Sequence, residues 1–325
     1  MNRTAGGSAR DNRIAGALLG VHVGDSLGAT LEFMSWQAIR AHYPDGLRDI
    51  VGGGPFGWPA GYATDDTDLT RAVLLAYLAP GHADVVLAAA DNMLAWLDGD
   101  WPGRAPGSRP RDIGHATHQG LERYRRCADP RAAGAGHGQA GNGSLMRCIP
   151  TALAVTDRSR RIGDSIEISA ITHDDQRATV ACAAYNEIAA ALLRETQPEQ
   201  AISAGLAAAR ELGGPAVADA IDRGCRIQPA AVAATGIIPF DGKASGYVLE
   251  SLSLAVAAML DSRPLCEVLI DIARIGNDTD TNAAIAGGLL GARDGASAIP
   301  QRWRTLLQFG DEFTEAAAIL ASSMT

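Results

Sequence analysis

Residues 14–31 read I-A-G-A-L-L-G-V-H-V-G-D-S-L-G-A-T-L, and this stretch predicts the fold. Its apolar residues recur at intervals of three and four, the spacing that places them on one face of an α-helix. Alternating patterns typical of strands are almost absent from the chain. The sequence therefore predicts an all-α protein with roughly a dozen or more helices. The same helical spacing recurs over residues 69–78, 85–97, 179–193, 200–212, 248–260 and 283–290.

No break in composition and no internal repeat divides the 325 residues. One compact domain of orthogonally packed helices over residues 11–325 is therefore the simplest interpretation. Residues 1–10 are polar and contain Gly and Ser, which predicts a disordered tail and not a signal peptide. No apolar run approaches the roughly 18 residues of a membrane span. Five cysteines without a CxxC pair favour reduced, mostly buried thiols. We expect a cytoplasmic protein with no membrane partner, and a monomer by default.

The charge of the chain restricts its partners. It has 28 basic and 37 acidic residues, a formal net charge of −9. Its arginines are scattered and form no basic stripe, so an acidic chain of this kind would repel a nucleic-acid duplex. General nucleic-acid binding is therefore not expected, whereas a small anionic ligand held by backbone amides is compatible with this composition.

Carboxylates are concentrated in two short segments, each at the start of a predicted helix: Thr64-Asp65-Asp66-Thr67-Asp68 and Asn277-Asp278-Thr279-Asp280-Thr281. Helix capping is the simpler explanation of either segment alone, because one side-chain oxygen satisfies free backbone N–H groups. Capping gains little from adjacent like charges, however, and at least two aspartates from each segment, brought together by the fold, would need cations. Since every donor is an oxygen, Mg²⁺, Mn²⁺ or Ca²⁺ is favoured over Zn²⁺. The two segments together predict a binuclear metal site.

An ordered set of motifs along nearly the whole chain resembles the ADP-ribosylglycohydrolase family. This family contains dinitrogenase reductase-activating glycohydrolase and the ADP-ribosyl-arginine and ADP-ribosyl-serine hydrolases. The motifs run in this order: Gly16-Ala17-Leu18-Leu19-Gly20, Gly24-Asp25-Ser26-Leu27-Gly28-Ala29 with Glu32, Gly52-Gly53-Gly54-Pro55, Thr64-Asp65-Asp66-Thr67, Asp112-Ile113-Gly114 with Thr117, Gly141-Asn142-Gly143-Ser144 with Met146-Arg147, Thr172-His173, and Asp278-Thr279-Asp280-Thr281-Asn282-Ala283-Ala284-Ile285.

The resemblance implies a central site for two divalent cations, Mg²⁺ with Mn²⁺ as the alternative. It implies ligands on two faces of the metal pair: Thr64, Asp65 and Asp66 on one, and Asp278, Asp280 and Thr281 on the other. Glu32 and Asp65 are the implied catalytic residues. The alternative for Glu32 is a solvated side chain near a helix C-terminus, an unfavourable position for a negative charge. Asn277 departs from the family pattern, because a glycine often precedes the aspartates there.

Substrate contacts are implied for Gly141, Asn142, Gly143, Ser144, His173 and Tyr247. Residues 141–144 are predicted to open a helix after a Gly-rich loop, where free N–H groups hold a phosphate. Their alternative is an ordinary turn with a capping Asn or Ser. The alternatives for His173 are a helix C-cap or a surface position. Tyr247 is expected either to stack on adenine or to belong to the core.

The function implied by the resemblance is metal-dependent hydrolysis of the N- or O-glycosidic bond between ADP-ribose and an acceptor. An ADP-ribosylated protein side chain is the favoured acceptor, arginine above the others, and a small ADP-ribosyl metabolite is an alternative substrate. A module that binds ADP-ribose without turnover is a second hypothesis. A metal-dependent phosphoesterase is a third, although such a site would usually bring a His or Lys near the metals, and neither acidic segment has one.

Overall fold

A computed structural model of the chain describes residues 9–79, 81, 84–240 and 244–323. Within these ranges the secondary structure consists of α-helices, two short 3₁₀ helices and two isolated β-bridges, with no strand. The all-α prediction is confirmed. The helices are α1 (Ala9–Gly28), α2 (Trp36–His42), α3 (Asp65–Leu78), α4 (Val85–Leu97), α5 (His115–Cys127), α6 (Ile149–Ala154), α7 (Arg158–Ala170), α8 (Gln176–Leu192), α9 (Pro198–Glu211), α10 (Pro215–Gly224), α11 (Pro229–Thr235), α12 (Val248–Leu260), α13 (Leu265–Arg274), α14 (Thr279–Asp294), α15 (Gln301–Arg304) and α16 (Gly310–Ser323).

Helix bounds follow the sequence pattern closely where both ends have clear signals. The helices predicted at residues 85–97 and 248–260 have those bounds in the structure. The first predicted helix is wrong at its C-terminal end, because α1 stops at Gly28 and the chain then turns. Apolar spacing continues through this turn only because Ala29 and Leu31 are also buried in the core.

Of the predicted disordered tail, residues 1–10, only the last two residues lie within the described ranges. Residues 1–8 lie outside the described ranges, and Ala9 and Arg10 form the first turn of α1. The helix therefore begins two residues before the predicted domain boundary at residue 11. Asp11 in this turn stabilises the start of the helix, since a negative charge is favourable at the positive end of the helix dipole.

The centre of the molecule is the contact between α1 and α14, which is unusually close. Glycines at every fourth position of α1, from Gly16 to Gly28, form a flat stripe on one face of the helix. A methyl group added at Gly20 would lie 2.1 Å from the Gly287 carbonyl oxygen, and one at Gly24 would lie 2.0 Å from the Ala283 carbonyl oxygen. The two backbones are therefore in direct contact, and both helices are buried over most of their length.

The other helices surround this pair. α8 and α12 pack against α14, α9 and α10 cover them from outside, and α3 and α16 pack on α1. Because the first residues of α3 and α14 are both held at the C-terminal end of α1, the two acidic segments are brought together there. The Thr279 hydroxyl donates to the Gly28 carbonyl at 2.7 Å, which fixes the start of α14 at this point.

The five cysteines form no disulfide. Cys148 and Cys182 are buried, but Cys127 and Cys225 are exposed and Cys266 is half-buried. The expectation of mostly buried thiols is therefore wrong, because the two exposed cysteines stand at the C-terminal ends of surface helices. Among the described helices, none has the combined length and apolar character that crossing a bilayer requires.

Candidate active site

Glu32 lies in the turn that follows α1, and its side chain is buried. Two backbone hydrogen bonds fix this turn to the segment before α14: Phe33 N–H donates to the Asn277 carbonyl at 2.7 Å, and Asn277 N–H donates to the Met34 carbonyl at 2.8 Å. Phe33 and Asn277 have φ angles of 61° and 65°, in the left-handed region. Asn enters this region more readily than most residues, which explains why Asn277 can replace the family's glycine.

At the start of α3, one of the three predicted ligands, Thr64, is also the N-cap of the helix. The Thr64 hydroxyl oxygen accepts from the Asp66 N–H at 3.3 Å and so caps the helix. The carboxylates of Asp65 and Asp66 are therefore not needed as caps. The Thr281 hydroxyl donates to Asp66 Oδ2 at 3.3 Å, which joins the two acidic segments directly.

Asp25, which was not assigned a role from the sequence, holds the start of α3 from within α1. Its Oδ2 accepts from the N–H groups of Thr64 and Thr67, at 3.1 and 3.2 Å, and also from the Thr67 hydroxyl. The Gly24-Asp25-Ser26 motif could have drawn attention to Asp25. An aspartate inside a predicted helix does not, however, indicate by itself that it caps another helix. Asp25 positions the first acidic segment.

The second acidic segment begins α14. Asp278 stands at the N-cap position, but its side chain makes no capping hydrogen bond. Instead, its Oδ2 accepts from the Asn142 side-chain amide at 2.6 Å, which links this segment to residues 141–144. Asp280 is almost fully buried in the first turn of the helix. Both carboxylates are thus directed to the site and not to the helix end.

Three carboxylates from different parts of the chain lie close together, and one of them, Asp112, has no role implied by its motif. Glu32, Asp112 and Asp280 each offer an oxygen that lies within 4.8 Å of the other two. Asp112 comes from the segment just before α5, and its carboxylate stands ahead of a helix start like those of the two predicted segments. This acidic cluster could hold a metal ion, and it brings Asp112 beside the predicted catalytic residue Glu32 and the predicted ligand Asp280.

Burial and mutual repulsion disfavour the charged forms of these carboxylates. Burial, with the nearby charges of Asp112 and Asp278, raises the pKa of Glu32 to about 8. Burial likewise raises the pKa of Asp65, and that of Asp280, well above the usual range. No arginine or lysine of the described ranges pairs with the cluster to compensate it. Bound cations would restore the charged state, because opposite charge lowers a carboxyl pKa.

Several carboxylate oxygens in and around the acidic cluster accept no hydrogen bond from the described part of the chain. These are Glu32 Oε2, Asp66 Oδ1, Asp280 Oδ1 and Asp25 Oδ1, and all four are buried. A buried oxygen without a donor costs free energy unless another partner satisfies it. Hard divalent cations prefer oxygen donors of this kind, so the residues present fit Mg²⁺ or Mn²⁺.

A cavity of about 500 Å³ opens from the acidic cluster. Its volume falls in the usual range for ligand sites in proteins. Glu32, Asp65 and Asp278 form its acidic end, and Gly141, Gly143 and His173 lie among the residues of its other walls. Methyl groups added at Gly141 and Gly143 would come within 3.2 and 3.0 Å of the His173 ring, so only glycine leaves the backbone open beside it.

The structure differs from the substrate-contact predictions at the helix start and at Ser144, and it excludes the two alternatives for His173. Residues 141–144 do not open a helix, because the chain forms turns up to residue 147, in which the Asn142 and Leu145 carbonyls accept backbone hydrogen bonds. The helix begins only at Ile149, where Pro150 suits a helix start. The Ser144 side chain is buried and accepts from the Ser169 hydroxyl at 2.8 Å, so it faces the core. His173 is buried in the cavity wall and is neither a C-cap nor a surface residue.

Tyr247 is not one of the residues that line this cavity. It forms a β-bridge with Gly141, and the Arg177 guanidinium lies 5.8 Å from the centre of its ring. Phe33, by contrast, lines the cavity and is 66% exposed. An exposed aromatic ring beside a cavity is available for stacking. Phe33 lies in a turn, so helical periodicity could not have indicated it.

A second, smaller cavity of about 240 Å³ adjoins the first. Asp65 lines both, so it separates the two spaces. Trp58 and Tyr62 line the smaller cavity on the side of the Gly-rich loop, and Arg109 and Arg111 line it on the side of the loop before α5. A substrate with two parts could therefore occupy both cavities with Asp65 beside the junction.

This combination of an all-helical fold and a buried carboxylate cluster beside a ligand-sized cavity defines a class of hydrolytic enzyme. A profile of the ADP-ribosylglycohydrolase family matches residues 7–325. The chain belongs to this family and is a glycohydrolase enzyme.

Individual relatives agree with that assignment. The chain is 30% identical over 298 residues to the ADP-ribosyl-[dinitrogen reductase] glycohydrolase of Rhodospirillum rubrum, covering 91% of this chain and 90% of that one. It is 31% identical to an ADP-ribosylarginine hydrolase of Pseudomonas putida, covering 90% and 73% of the two chains. A solved structure described as an ADP-ribosylglycohydrolase-related protein complex superposes with a TM-score of 0.79 at 28% identity, covering 97% of this chain and 99% of that one.

Proposed function

We propose that this protein hydrolyses the N-glycosidic bond between ADP-ribose and an arginine side chain of a modified protein. The observation that carries the proposal is the buried carboxylate cluster at the end of a ligand-sized cavity. The names of its relatives, which act on ADP-ribosylarginine or on ADP-ribosylated dinitrogen reductase, support the choice of bond. From the sequence we keep two further expectations, a cytoplasmic location and a monomer.

Two divalent cations, Mg²⁺ or Mn²⁺, belong to the proposal. The residues that would hold them are Thr64, Asp65, Asp66, Asp112, Asp278, Asp280 and Thr281, together with Glu32. When bound, the cations supply positive charge that orients ribose hydroxyls and stabilises developing negative charge. The buried oxygens without protein donors support this assignment.

The chain's own residues perform the remaining steps. The carboxylate of Glu32 orients the attacking water and accepts its proton, while the water oxygen bonds to the anomeric carbon of the distal ribose. The bond from that carbon to the arginine nitrogen breaks, the leaving guanidine takes up one proton from solvent, and Glu32 returns the proton of the attacking water to solvent, so that one water is consumed in each turnover. The products are free ADP-ribose and unmodified arginine. Asp65, which lines both cavities, lies beside the path of the leaving group.

The rest of ADP-ribose is assigned to the larger cavity. Backbone amides at residues 141–144 would bind the diphosphate, which needs close approach to the main chain. We assign the adenine to Phe33, because its exposed ring lies at the cavity. Tyr247 would then support Gly141 from behind through their β-bridge.

The test is release of ADP-ribose from an ADP-ribosylated arginine peptide and an ADP-ribosylated serine peptide, each with Mg²⁺, Mn²⁺ or EDTA. Metal-dependent release from the arginine peptide is expected. The variant Asp280→Asn should lose turnover, because it removes a charged ligand from the cluster. Asp219→Asn, the same change at an exposed position of α10, should retain it.

Three outcomes would contradict the proposal. Release in EDTA at the rate seen with Mg²⁺ would remove the metals from the mechanism. Release from the serine peptide alone would replace the acceptor. ADP-ribose binding without release from either peptide would favour a binding module without turnover.

A further inference from the structure

Arg147 is a fully buried cation that has no acidic partner among the described residues. Its exposed fraction is 0%, and its three hydrogen bonds go to neutral oxygens: Nε to the Gly143 carbonyl at 3.2 Å, Nη1 to the Ile168 carbonyl at 3.3 Å, and Nη2 to the Thr172 hydroxyl at 2.7 Å. The other buried arginine, Arg161, pairs with Glu187 at 2.7 Å. A buried charge is costly unless it is paired. The guanidinium stays protonated at neutral pH even though burial lowers its pKa to about 10.

One of these contacts determines the orientation of protons at the cavity wall. The Thr172 hydroxyl oxygen receives the Arg147 N–H and lies 2.8 Å from His173 Nδ1. Arginine is a donor only, so the hydroxyl proton is not used toward Arg147, and His173 Nδ1 is the one acceptor within hydrogen-bond distance of this hydroxyl among the described residues. Nδ1 is then the acceptor, and the ring proton of the neutral imidazole is on Nε2. Burial favours the neutral ring, because it lowers the pKa of His173 to about 3.

The Nε2 atom of His173 faces the glycine wall of the larger cavity. It lies 3.2 Å from the point where a Cβ of Gly141 would stand, and 3.3 Å from that of Gly143. His173 also lines the cavity. The three-residue chain from Arg147 through Thr172 therefore ends in an uncharged N–H donor at the wall.

Arg147 also orients a peptide group at the same wall. It binds the Gly143 carbonyl, and in a trans peptide the following N–H, that of Ser144, points the opposite way. Neither the Gly143 N–H nor the Ser144 N–H has an acceptor among the described residues. The Thr117 hydroxyl beside Gly143 is 1% exposed, lines the cavity and also lacks a partner there. Donors without a described acceptor, gathered on the same wall beside Gly143, indicate an anionic ligand.

We propose that Arg147 is the positioning residue of a diphosphate site, which it builds by orienting His173 Nε2–H through Thr172 and Ser144 N–H through the Gly143 carbonyl. The negative charge of the diphosphate offsets the buried guanidinium, which explains why no carboxylate accompanies it. This inference rests on the proposed function, because it takes the diphosphate to be that of ADP-ribose.

The test uses the full chain with Thr172→Val, which removes the hydroxyl at nearly constant volume, and Thr172→Ser, which restores it. The readouts are the affinity for free ADP-ribose by calorimetry, with and without Mg²⁺, and the ¹⁵N NMR signals of the His173 ring. Thr151→Val is the control, because Thr151 is equally buried and hydrogen-bonded, but to Tyr77. Arg147→Lys keeps the charge but cannot donate in all three directions.

We expect Nε2–H on His173 in the wild type and an affinity about tenfold lower in Thr172→Val, since one oriented donor to a charged group is lost. Thr172→Ser should recover the affinity, Thr151→Val should not change it, and Arg147→Lys should lower it. A proton on Nδ1 in the wild type, or a loss in Thr172→Val of less than about fivefold, would overturn the proposal. These readouts need no turnover. A protein that binds in this pattern but does not hydrolyse ADP-ribosylarginine would refute the proposed function alone.

Discussion

Replacing Gly20 by alanine would put a methyl group at the contact between α1 and α14. The added carbon would lie 2.1 Å from the Gly287 carbonyl oxygen, about 1.3 Å short of the 3.4 Å at which ordinary contact begins. No side chain can rotate away, because the obstacle is backbone. The helices cannot separate locally either, since Gly16 and Gly24 hold the same close spacing on both sides.

The expected result is a loss of stability that outweighs the better helix propensity of alanine. Overpacking costs about 1–3 kcal/mol and more where backbone must move, whereas alanine gains at most about 1 kcal/mol over glycine inside a helix. We expect the free energy of unfolding to fall by about 2 kcal/mol or more. Urea denaturation followed by far-UV circular dichroism measures this change.

Gly163→Ala is the matched control, because Gly163 lies inside α7 with nothing within 4 Å of the added methyl group. This variant should be more stable than the wild type by about 0.5–1 kcal/mol. If Gly20→Ala were also as stable as the wild type, the close contact between α1 and α14 would be refuted. A Gly163→Ala variant no more stable than the wild type would remove the propensity part of the reasoning and leave the contact argument untouched.

Three further predictions concern other parts of the molecule. Burial lowers the pKa of His22 from 6.5 to about 4. Below pH 6.5 the unfolded chain therefore binds a proton that the folded chain does not, and the free energy of unfolding falls by up to about 3 kcal/mol as the pH drops toward 4. Urea titrations at several pH values should show that His22→Gln loses this part of the pH dependence. Asp112→Asn should weaken Mn²⁺ binding by about tenfold or more in a calorimetric titration, because it removes a charge from the cluster; unchanged affinity would remove Asp112 from the ligands. Arg109→Glu, at an exposed residue that lines the smaller cavity, should lower kcat/KM for an ADP-ribosylated protein more than for free ADP-ribosylarginine. An equal loss on both substrates would contradict contact with the acceptor protein.

Local patterns in the sequence were sufficient for the all-α class, for the approximate positions of seven helices (α1, α3, α4, α8, α9, α12 and α14) and for the two acidic segments. Apolar spacing reports one buried face of a helix, so α4 and α12 could be predicted to the residue. Hydroxyl and carboxylate residues at helix starts were visible for the same reason, since capping chemistry involves residues only two or three apart. The resemblance to a family then supplied the roles that spacing alone could not.

Other features depend on residues that are far apart in the chain. Asp25 caps α3 from within α1, and Asp112 joins Glu32 and Asp280, only because the helices pack as they do. The inward direction of the Ser144 side chain likewise depends on its partner Ser169. The sequence by itself determined which helices form and which side chains could carry the chemistry. Only the tertiary structure decided which carboxylates meet, because distances between them are determined by the backbone contact of α1 with α14.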